Sequence, residues 1–427
     1  MSGEGGGATQ RAIDAVWRIE SARLVGGLAR IVRDVGLAED LAQGAFVTAM
    51  ERWPTEGIPE NPGAWLMATA KNRAIDQLRR ARMLQDKHAL LGHELEMEQQ
   101  FDSNPVEAQA DQHIADDLLR LMFIACHPLL STQARTALTL RLIGGLTTTE
   151  IARAVLTAEP TIAQRIVRAK RTLSEAQVPF ELPPREELTA RLASVLEVIY
   201  LIFNEGYSAT AGEDWMRPAL CEEALRIGRI LAELIPDASE VHGLVALMEI
   251  QASRLRARAG AHGEPVLLME QNRAQWDRVL IHRGLLALAR GEALTAVRGA
   301  YLLQAAIAAC HARAFQATDT DWVAITALYD ELARLTGSPV VELNRAVAVA
   351  MAYGPAAGLA LTDALRDAGA LPGYHLLPSV RADLLARLGR YAEARAEFER
   401  AAQLTGNARE RTLLARRAAA CGQHLSS

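Results

Sequence analysis

The sequence predicts an all-α protein in which two small helical domains, the second a helix-turn-helix, precede a larger α-helical, repeat-like domain. Hydrophobic residues make up 50% of the chain and aromatic residues only 5%. Ala and Leu therefore supply most of the apolar content, and both favour helix over strand. At roughly 150 residues per domain, a chain of 427 residues has room for two or three domains, each with its own core.

The charge distribution divides the first part of the chain. Six basic residues face two acids in 71–87, eight acids stand without any Lys or Arg in 91–117, and six basic residues again face two acids in 141–171. The acidic stretch contains turn residues and little periodic hydrophobicity, as expected of a linker. The predicted segments are a flexible, Gly-rich leader at 1–10, a helical domain at 11–82, an acidic linker at 83–112 and a second helical domain at 113–178.

A second break falls at Pro183 and Pro184, where a continuous helix is disfavoured. Beyond it, residues 185–427 show helix-length apolar patterns separated by short Gly, Pro and Asp punctuation. Gly389 and the helix that follows it have the spacing of a tetratricopeptide unit, and Gly354 stands 35 residues earlier, close to the repeat period of about 34. Other α-solenoids would give the same spacing, so both interpretations stay open.

The first basic segment predicts a helix that Asn61 caps and Pro62 opens. At 100° per residue, one face is apolar, with Leu66, Met67, Ala70, Ala74, Leu78 and Ala81. The opposite face carries Trp65, Thr69, Asn72, Asp76, Arg79 and Arg80. Aromatic, amide and guanidinium groups stack on unpaired bases and contact phosphates. The face therefore predicts single-stranded DNA binding, and the alternative is a solvated basic surface.

The second basic segment predicts a helix-turn-helix. Thr147 and Glu150 have capping-box spacing before a short helix, a turn at 156–159 and a second helix over 160–175. In that second helix Ile162, Ile166, Ala169 and Leu173 share a face, and the opposite face carries Thr161, Gln164, Arg165, Arg168 and Arg171. Such a helix suits a major groove, where Arg reads guanine and Gln reads adenine. A chance amphipathic, Arg-rich helix is the alternative.

Other functional classes find no support in the sequence. The formal net charge is only −5, so any nucleic-acid contact is local. The four cysteines have no CxxC spacing and indicate buried free thiols in a reducing compartment. The histidines have no metal-ligand spacing, and no GxSxG or Gly-rich phosphate loop occurs. The longest uncharged run is too short and too weakly apolar to span a bilayer. We therefore expect a cytoplasmic protein that is not an enzyme and needs no cofactor or membrane.

Three groups of motifs occur in the first part of the chain: one in the helix that precedes the basic segments and one in each basic segment. They are Ala38–Gln43 with Phe46 and Trp53; Trp65-Leu66 with Ala70–Asp76 and Arg79-Arg80; and Gly145–Thr147, Glu150–Ala152, Thr161-Ile162, Arg165, Arg168-Ala169 and Leu173. Together, residues 11–175 resemble a bacterial sigma factor of the extracytoplasmic-function (ECF) group, which keeps regions two and four of the sigma-70 family. Gly44, Ala45 and Pro160 depart from the usual pattern. Residues 185–427 resemble the tetratricopeptide-like extension of one subgroup, most closely from Ile199 to Trp215.

The resemblance implies a protein that binds core RNA polymerase, recognises promoter DNA and initiates transcription, with its activity regulated by the C-terminal helical domain. Its polymerase-binding helix would present a mixed apolar and acidic strip to a basic coiled coil of the polymerase clamp, through Asp40, Gln43, Val47 and Glu51. The exposed residues of the first basic segment would contact the downstream promoter element, and those of the second helix of the helix-turn-helix would contact the upstream element. Two alternatives stay open: a C-terminal domain that docks a separate protein or ligand, and a helix-turn-helix regulator with a repeat-type sensor that never binds core polymerase.

Overall fold

The computed structural model describes residues 4–86, 107–155, 157–208, 216–260 and 264–426. These residues form eighteen α-helices and four short 3-10 helices, and no strand occurs among them. The predicted all-α fold is confirmed. The chain divides into two compact units, residues 1–198 and 199–427. No helix in the described part of the chain is both long and apolar enough to cross a membrane.

The first unit contains two helical domains and the start of a further helix. The first helical domain consists of α1 Glu4–Val32, α2 Val35–Glu56 and α3 Pro62–Asp86. The helix-turn-helix domain consists of α4 Glu107–Ala125, α5 Thr132–Leu142, α6 Thr148–Ala154 and α7 Glu159–Glu175. Helix α8, Arg185–Tyr207, begins in the first unit and ends in the second.

Side-chain caps begin several of these helices, and two of them, at Asn61 and Thr147, are those that the sequence predicts. Asp34 accepts a hydrogen bond from the Leu37 N–H at the start of α2, at 2.7 Å. Asn61 accepts from the Ala64 N–H at 3.0 Å and so begins α3. At α6, the Thr147 hydroxyl and the Glu150 carboxylate each accept from the other residue's backbone N–H, which is a complete capping box. Each cap satisfies donors that the first helical turn leaves free.

The element boundaries differ from expectation in the predicted leader and in the predicted acidic linker. α1 begins at Glu4, inside the predicted leader, because extending an existing helix costs far less than nucleating one. α2 continues through Pro54 to Glu56. α3 reaches Asp86 and α4 begins at Glu107, so both ends of the predicted linker are helical. The remaining linker residues, 87–106, lie outside the described residues.

The first 14 residues of α8, 185–198, belong to the first unit. Arg191 donates to the Phe123 carbonyl at 3.0 Å, and the Ser194 hydroxyl donates to the Cys126 carbonyl at 2.9 Å. Arg135 of α5 donates to the same Ser194 hydroxyl at 2.5 Å. The division between the units therefore lies inside α8 and not at the predicted proline break, because these contacts hold the start of α8 against α4 and α5.

The second unit is a succession of helices that pack on their sequence neighbours. Its helices after α8 are α9 Pro218–Leu234, α10 Ser239–Ala252, α11 Arg278–Ala293, α12 Ala300–Arg313, α13 Trp322–Thr336, α14 Pro339–Tyr353, α15 Pro355–Asp367, α16 Leu376–Arg387, α17 Tyr391–Leu404 and α18 Ala408–Ser426. Short 3-10 helices lie at Leu255–Arg258, Leu268–Glu270, Arg273–Gln275 and Ala317–Asp319.

Several glycines that the sequence predicts as breaks in the second unit do lie at helix boundaries. Gly337 and Gly354 have positive φ values of 59° and 99° and separate α13 from α14 and α14 from α15. Gly389, at φ 76°, turns the chain from α16 into α17. Ala394, Phe398 and Ala401 of α17 are buried in a shared core with α16 and α18, which is the face predicted from the repeat spacing.

Candidate nucleic-acid interface

Helix α3 carries the first predicted DNA-facing surface. Its core face is buried at Leu66, Ala70 and Ala74. Asn72, Asp76 and Arg79 are exposed on the other side of the helix. The side chains of Leu78, Arg80 and Ala81 lie outside the described part of the structure. The exposed residues bring an amide, a carboxylate and a guanidinium together on two turns of one helix, an arrangement that can contact base edges and phosphates.

Trp65 occupies a position between the core and this surface. It is half-buried and packs edge-to-face on the fully buried Trp53, with ring centroids 5.3 Å apart. Part of its ring therefore contributes to the core of the first helical domain, and part is available for stacking on a base. The helical projection alone placed Trp65 on the free face, because it does not include the neighbouring α2.

The second predicted surface lies on α7. Ile162, Ile166, Ala169 and Leu173 are all buried, as the sequence predicts. Thr161, Gln164, Arg168 and Arg171 are exposed and Arg165 is half-buried on the opposite face. No carboxylate in the described residues lies within ion-pair distance of Arg165 or Arg168. Their guanidinium groups are therefore available to an external anion or a guanine edge.

Arg171 differs from its neighbours on α7. Its side chain is 75% exposed and its Nε lies 2.6 Å from a carboxylate oxygen of Glu175, one turn further along. That hydrogen bond raises the pKa of Arg171 above its ordinary value. To contact a phosphate, Arg171 must exchange Glu175 for it, so we expect a smaller effect from Arg171 than from Arg168.

An open groove of about 350 Å³ runs between the start of α5 and α7. Leu129, Leu130 and Ser131 line one side, and Gln164 and Arg168 line the other. Leu129 is 56% exposed. Sequence reasoning missed Leu129, Leu130 and Ser131, although the short run from Pro128 to the N-cap Ser131 could have indicated a loop before α5. The groove provides an apolar wall next to guanidinium groups.

The predicted polymerase-binding strip lies along α2. Val47 is 49% exposed, Glu51 is exposed, and the Asp40 side chain is 69% exposed. Gln43 is half-buried and donates to a Glu39 carboxylate oxygen at 2.5 Å. Met50, 39% exposed, extends the apolar part of the strip and was missed, although it stands three residues after Val47. The strip is acidic at both ends, at Asp40 and Glu51, and its apolar part, Val47 and Met50, lies between them.

The acidic start of α2 contacts the helix-turn-helix domain. The Glu39 side chain is only 4% exposed, and Arg141 Nε and Lys170 Nζ lie 2.5 and 2.8 Å from its two oxygens. Lys170 Nζ also lies 3.4 Å from Asp40, and the Ser174 hydroxyl donates to Asp34 at 2.8 Å. Burial acts to raise the pKa of Glu39, but Lys170 and Arg141 outweigh it and hold that pKa below its ordinary value of 4.5.

A departure from the family pattern has a visible cause in α2. Gly44 lies under the guanidinium of Arg73, which donates to the Thr48 hydroxyl at 2.6 Å. A Cβ at position 44 would collide with that guanidinium. The small residue at this position therefore lets Arg73 of α3 cross to α2 and joins the two predicted surfaces of the first helical domain.

Family models match three segments of the chain. Sigma-70 region 2 matches residues 19–83, and Sigma-70, region 4 matches residues 120–173. A family of unknown function (DUF6596) matches residues 191–292. The first two matches coincide with the first helical domain and with the helix-turn-helix domain, so both predicted surfaces fall inside sigma-70 regions.

Curated relatives agree with these matches. An uncharacterized protein of Rhizobium meliloti (strain 1021) is 43% identical over 391 residues, which are 90% of each chain. ECF RNA polymerase sigma factor SigK of Mycobacterium ulcerans (strain Agy99) is 31% identical over 155 residues, 35% of this chain and 78% of SigK.

A third relative aligns over a smaller share of its length. Probable ECF RNA polymerase sigma factor SigI of Mycobacterium tuberculosis (strain CDC 1551 / Oshkosh) is 27% identical over 175 residues, 41% of this chain and 58% of SigI. No solved structure matches the chain.

The two sigma-70 regions and the two ECF relatives support a sigma-factor function. The chain belongs to the ECF group of the sigma-70 family and carries a C-terminal extension.

Proposed function

We propose that this protein binds core RNA polymerase, recognises promoter DNA through α3 and α7, and initiates transcription under the control of its C-terminal unit. The observation that carries the proposal is the free recognition face of α7: Gln164, Arg165 and Arg168 point away from a fully buried core face, and neither Arg has an internal carboxylate partner in the described structure. Such a face fits a major groove.

In this proposal α3 acts on the downstream promoter element. Asn72, Asp76, Arg79 and Arg80 contact the DNA, and Trp65 supports the melted strand with the exposed part of its ring. Thr161, Gln164, Arg165, Arg168 and Arg171 contact the upstream element in the duplex groove. These roles are those of a binding protein that positions polymerase and forms no covalent bond itself.

The α2 strip supports the proposed polymerase contact. Asp40 and Glu51 supply acidic groups and Val47 supplies exposed apolar area. A basic coiled coil with apolar side chains would satisfy both properties. Charged residues at such a surface would chiefly increase the rate of association, and the apolar residues would contribute to its lifetime.

Purified core RNA polymerase provides the test. The full-length protein should be retained by immobilised core polymerase and should direct transcription from a cognate promoter with it. Replacing Val47 with Asp and Glu51 with Lys should abolish retention without loss of helicity. The rival function, a helix-turn-helix regulator that never binds core polymerase, predicts promoter binding without retention.

Regulation by the C-terminal unit has a physical basis in α8. This single helix begins against α4 and α5 through Arg191 and Ser194 and continues into the second unit. A change in the second unit that pulled on or bent α8 would therefore act on the helix-turn-helix domain. We propose that the extension controls the sigma module by this route.

A further inference from the structure

The acidic start of α2 is already occupied by side chains of the same chain. Three acidic residues at this end, Asp34, Glu39 and Asp40, each contact α5 or α7. One of the four residues in the predicted polymerase-binding strip pairs with a cation of the helix-turn-helix domain, because Lys170 Nζ lies 3.4 Å from Asp40, whereas Gln43 donates to Glu39 within α2. Cations from the helix-turn-helix domain therefore lie where a basic partner would bind.

Helix α7 uses two separate strips for two purposes. Lys170 and Ser174 face α2, whereas Gln164, Arg165 and Arg168 lie on the predicted DNA-reading strip. Arg141 is held in place because its Nη1 also donates to the Leu146 carbonyl at 3.0 Å. The contact with α2 thus leaves the predicted recognition surface exposed while Lys170 pairs with the acidic start of the polymerase-binding strip.

The ion pairs between α2 and the helix-turn-helix domain are of a kind that can separate reversibly. Both cations that pair with Glu39 belong to the helix-turn-helix domain, so separation of the two domains breaks both ion pairs and returns charged groups to water. The attraction between Glu39 and its partners is thus largely offset by the desolvation of all three groups, and the net holding energy is modest. A permanent structural joint would be expected to bury apolar area at this position in place of three charged groups.

We infer that Arg141 and Lys170 compete with core RNA polymerase for the acidic start of α2, so that the helix-turn-helix domain must leave α2 before polymerase binds. This inference rests on the proposed polymerase binding and adds to it an internal inhibitor. Arg141 and Lys170 take the place of the basic groups that the polymerase would provide.

A reversible disulfide tests the competition in the full-length chain. A Cβ added at Gly36 would lie 3.7 Å from the Lys170 Cβ, within the range of about 3.5–4.5 Å found in disulfides. We would introduce Gly36→Cys and Lys170→Cys in a Cys310→Ser background, since Cys310 is the one native cysteine that is not buried. The oxidised protein is closed, and dithiothreitol opens it.

The expected result is loss of at least about tenfold in affinity for core polymerase on oxidation, with recovery on reduction. In parallel, Lys170→Gln alone should bind core polymerase roughly three- to tenfold more tightly than the native chain, as expected for loss of a modest ion pair. Arg153→Gln, an exposed change on α6, should leave the affinity unchanged and serves as the matched control.

Three outcomes would overturn the inference. Equal binding by the oxidised and reduced forms would exclude competition, and so would unchanged affinity in Lys170→Gln. Failure of the two cysteines to pair under oxidation would show that α2 and α7 are not adjacent in solution. Failure of the native chain itself to bind core polymerase would instead reject the proposed function, and the inference with it, so the two failures are distinguishable.

Discussion

The free guanidinium groups of α7 are where sequence recognition should be most sensitive to a single change. Arg168 is exposed on the side of α7 away from the buried Ile162 and Ile166, and the half-buried Arg165 lies at the edge of that exposed side. Replacing either with Ala should weaken binding to the cognate upstream element by about 1–3 kcal/mol if it makes a bidentate base contact. Equilibrium binding to promoter duplexes measures this loss.

The control for these variants is a duplex whose upstream element has been scrambled. On that duplex the native protein and the Ala variants should bind with nearly equal affinity. Each variant has lost one positive charge near the phosphates, so its affinity should depend less steeply on salt concentration. If both variants kept full discrimination between cognate and scrambled duplexes, Arg165 and Arg168 would not be the reading residues.

His311 in α12 gives the second unit a pH-dependent stability. The residue is buried, and burial, with repulsion from Arg254 and Arg273, lowers its pKa from 6.5 to about 3. Between these values the unfolded chain binds a proton that the folded chain does not, so stability falls as pH falls. The expected slope is about 1.4 kcal/mol per pH unit for one proton.

Chemical unfolding of the native chain and of His311→Phe, followed by circular dichroism between pH 7 and pH 4, checks this prediction. Phe retains an aromatic ring against Trp322, whose ring centroid lies 5.1 Å from that of His311. The variant should lose less stability on acidification than the native chain. Parallel curves for the two proteins would mean that His311 is protonated in the folded state or that another group dominates.

At the scale of single residues, features that depend on local sequence were predictable, and features that depend on long-range contacts were not. The buried face of α7 and the caps Asn61 and Thr147 were predictable, because helical periodicity and capping depend on residues within four positions of one another. The packing of Trp65 on Trp53 and the burial of Glu39 were not. Both depend on contacts between different helices, and the two cations that pair with Glu39 lie more than 100 positions away.

The end of α8 shows how one helix–helix contact constrains its sequence. A Cβ at Gly206 would lie 2.7 Å from the Cys221 backbone N and 2.9 Å from the Arg217 carbonyl oxygen. Backbone atoms cannot rotate away, so Gly206→Ala must push α9 from α8. We expect a loss of about 1–3 kcal/mol in the free energy of unfolding, measured by thermal or chemical denaturation.

Gly422 in α18 offers the matched control. It is also a helical glycine, but a Cβ there would meet only the tip of the Arg395 side chain, at 3.4 Å. Gly422→Ala should be neutral or should stabilise the protein by up to about 1 kcal/mol, because Ala favours helix. If Gly206→Ala behaved in the same way as Gly422→Ala, the close approach of α8 and α9 would be wrong.

Helix boundaries were predictable at many, but not all, of the Gly and Pro residues that separate the apolar patterns. The breaks near Pro236, Gly337 and Pro372 fall between helices of the structure. Pro54, by contrast, lies inside α2, in its last turn. The proline pair before α8 does begin a new helix, yet the following residues pack backwards on α4 and α5, which no local pattern reveals.

On the scale of the whole molecule, the path of α8 determines which fragment isolates the sigma module. A chain that ends at Val178 lacks Arg191 and Ser194, so the Phe123 and Cys126 carbonyls at the end of α4 lose their donors. Arg135 loses Ser194 at the same time. A chain that ends at Val198 keeps all three contacts. The shorter fragment should therefore unfold at a lower temperature than the longer one.

Transcription with purified core polymerase then separates regulation from folding. If the C-terminal unit controls the sigma module through α8, the chain ending at Val198 should differ in promoter activity from the full-length protein, and circular dichroism should show it to be folded. Adding residues 199–427 as a separate chain should not restore the full-length level, because control through α8 requires that helix to be continuous. Equal activity of the full-length chain and the folded 1–198 fragment would reject regulation by the extension, whereas restoration in trans would replace the α8 route with direct docking.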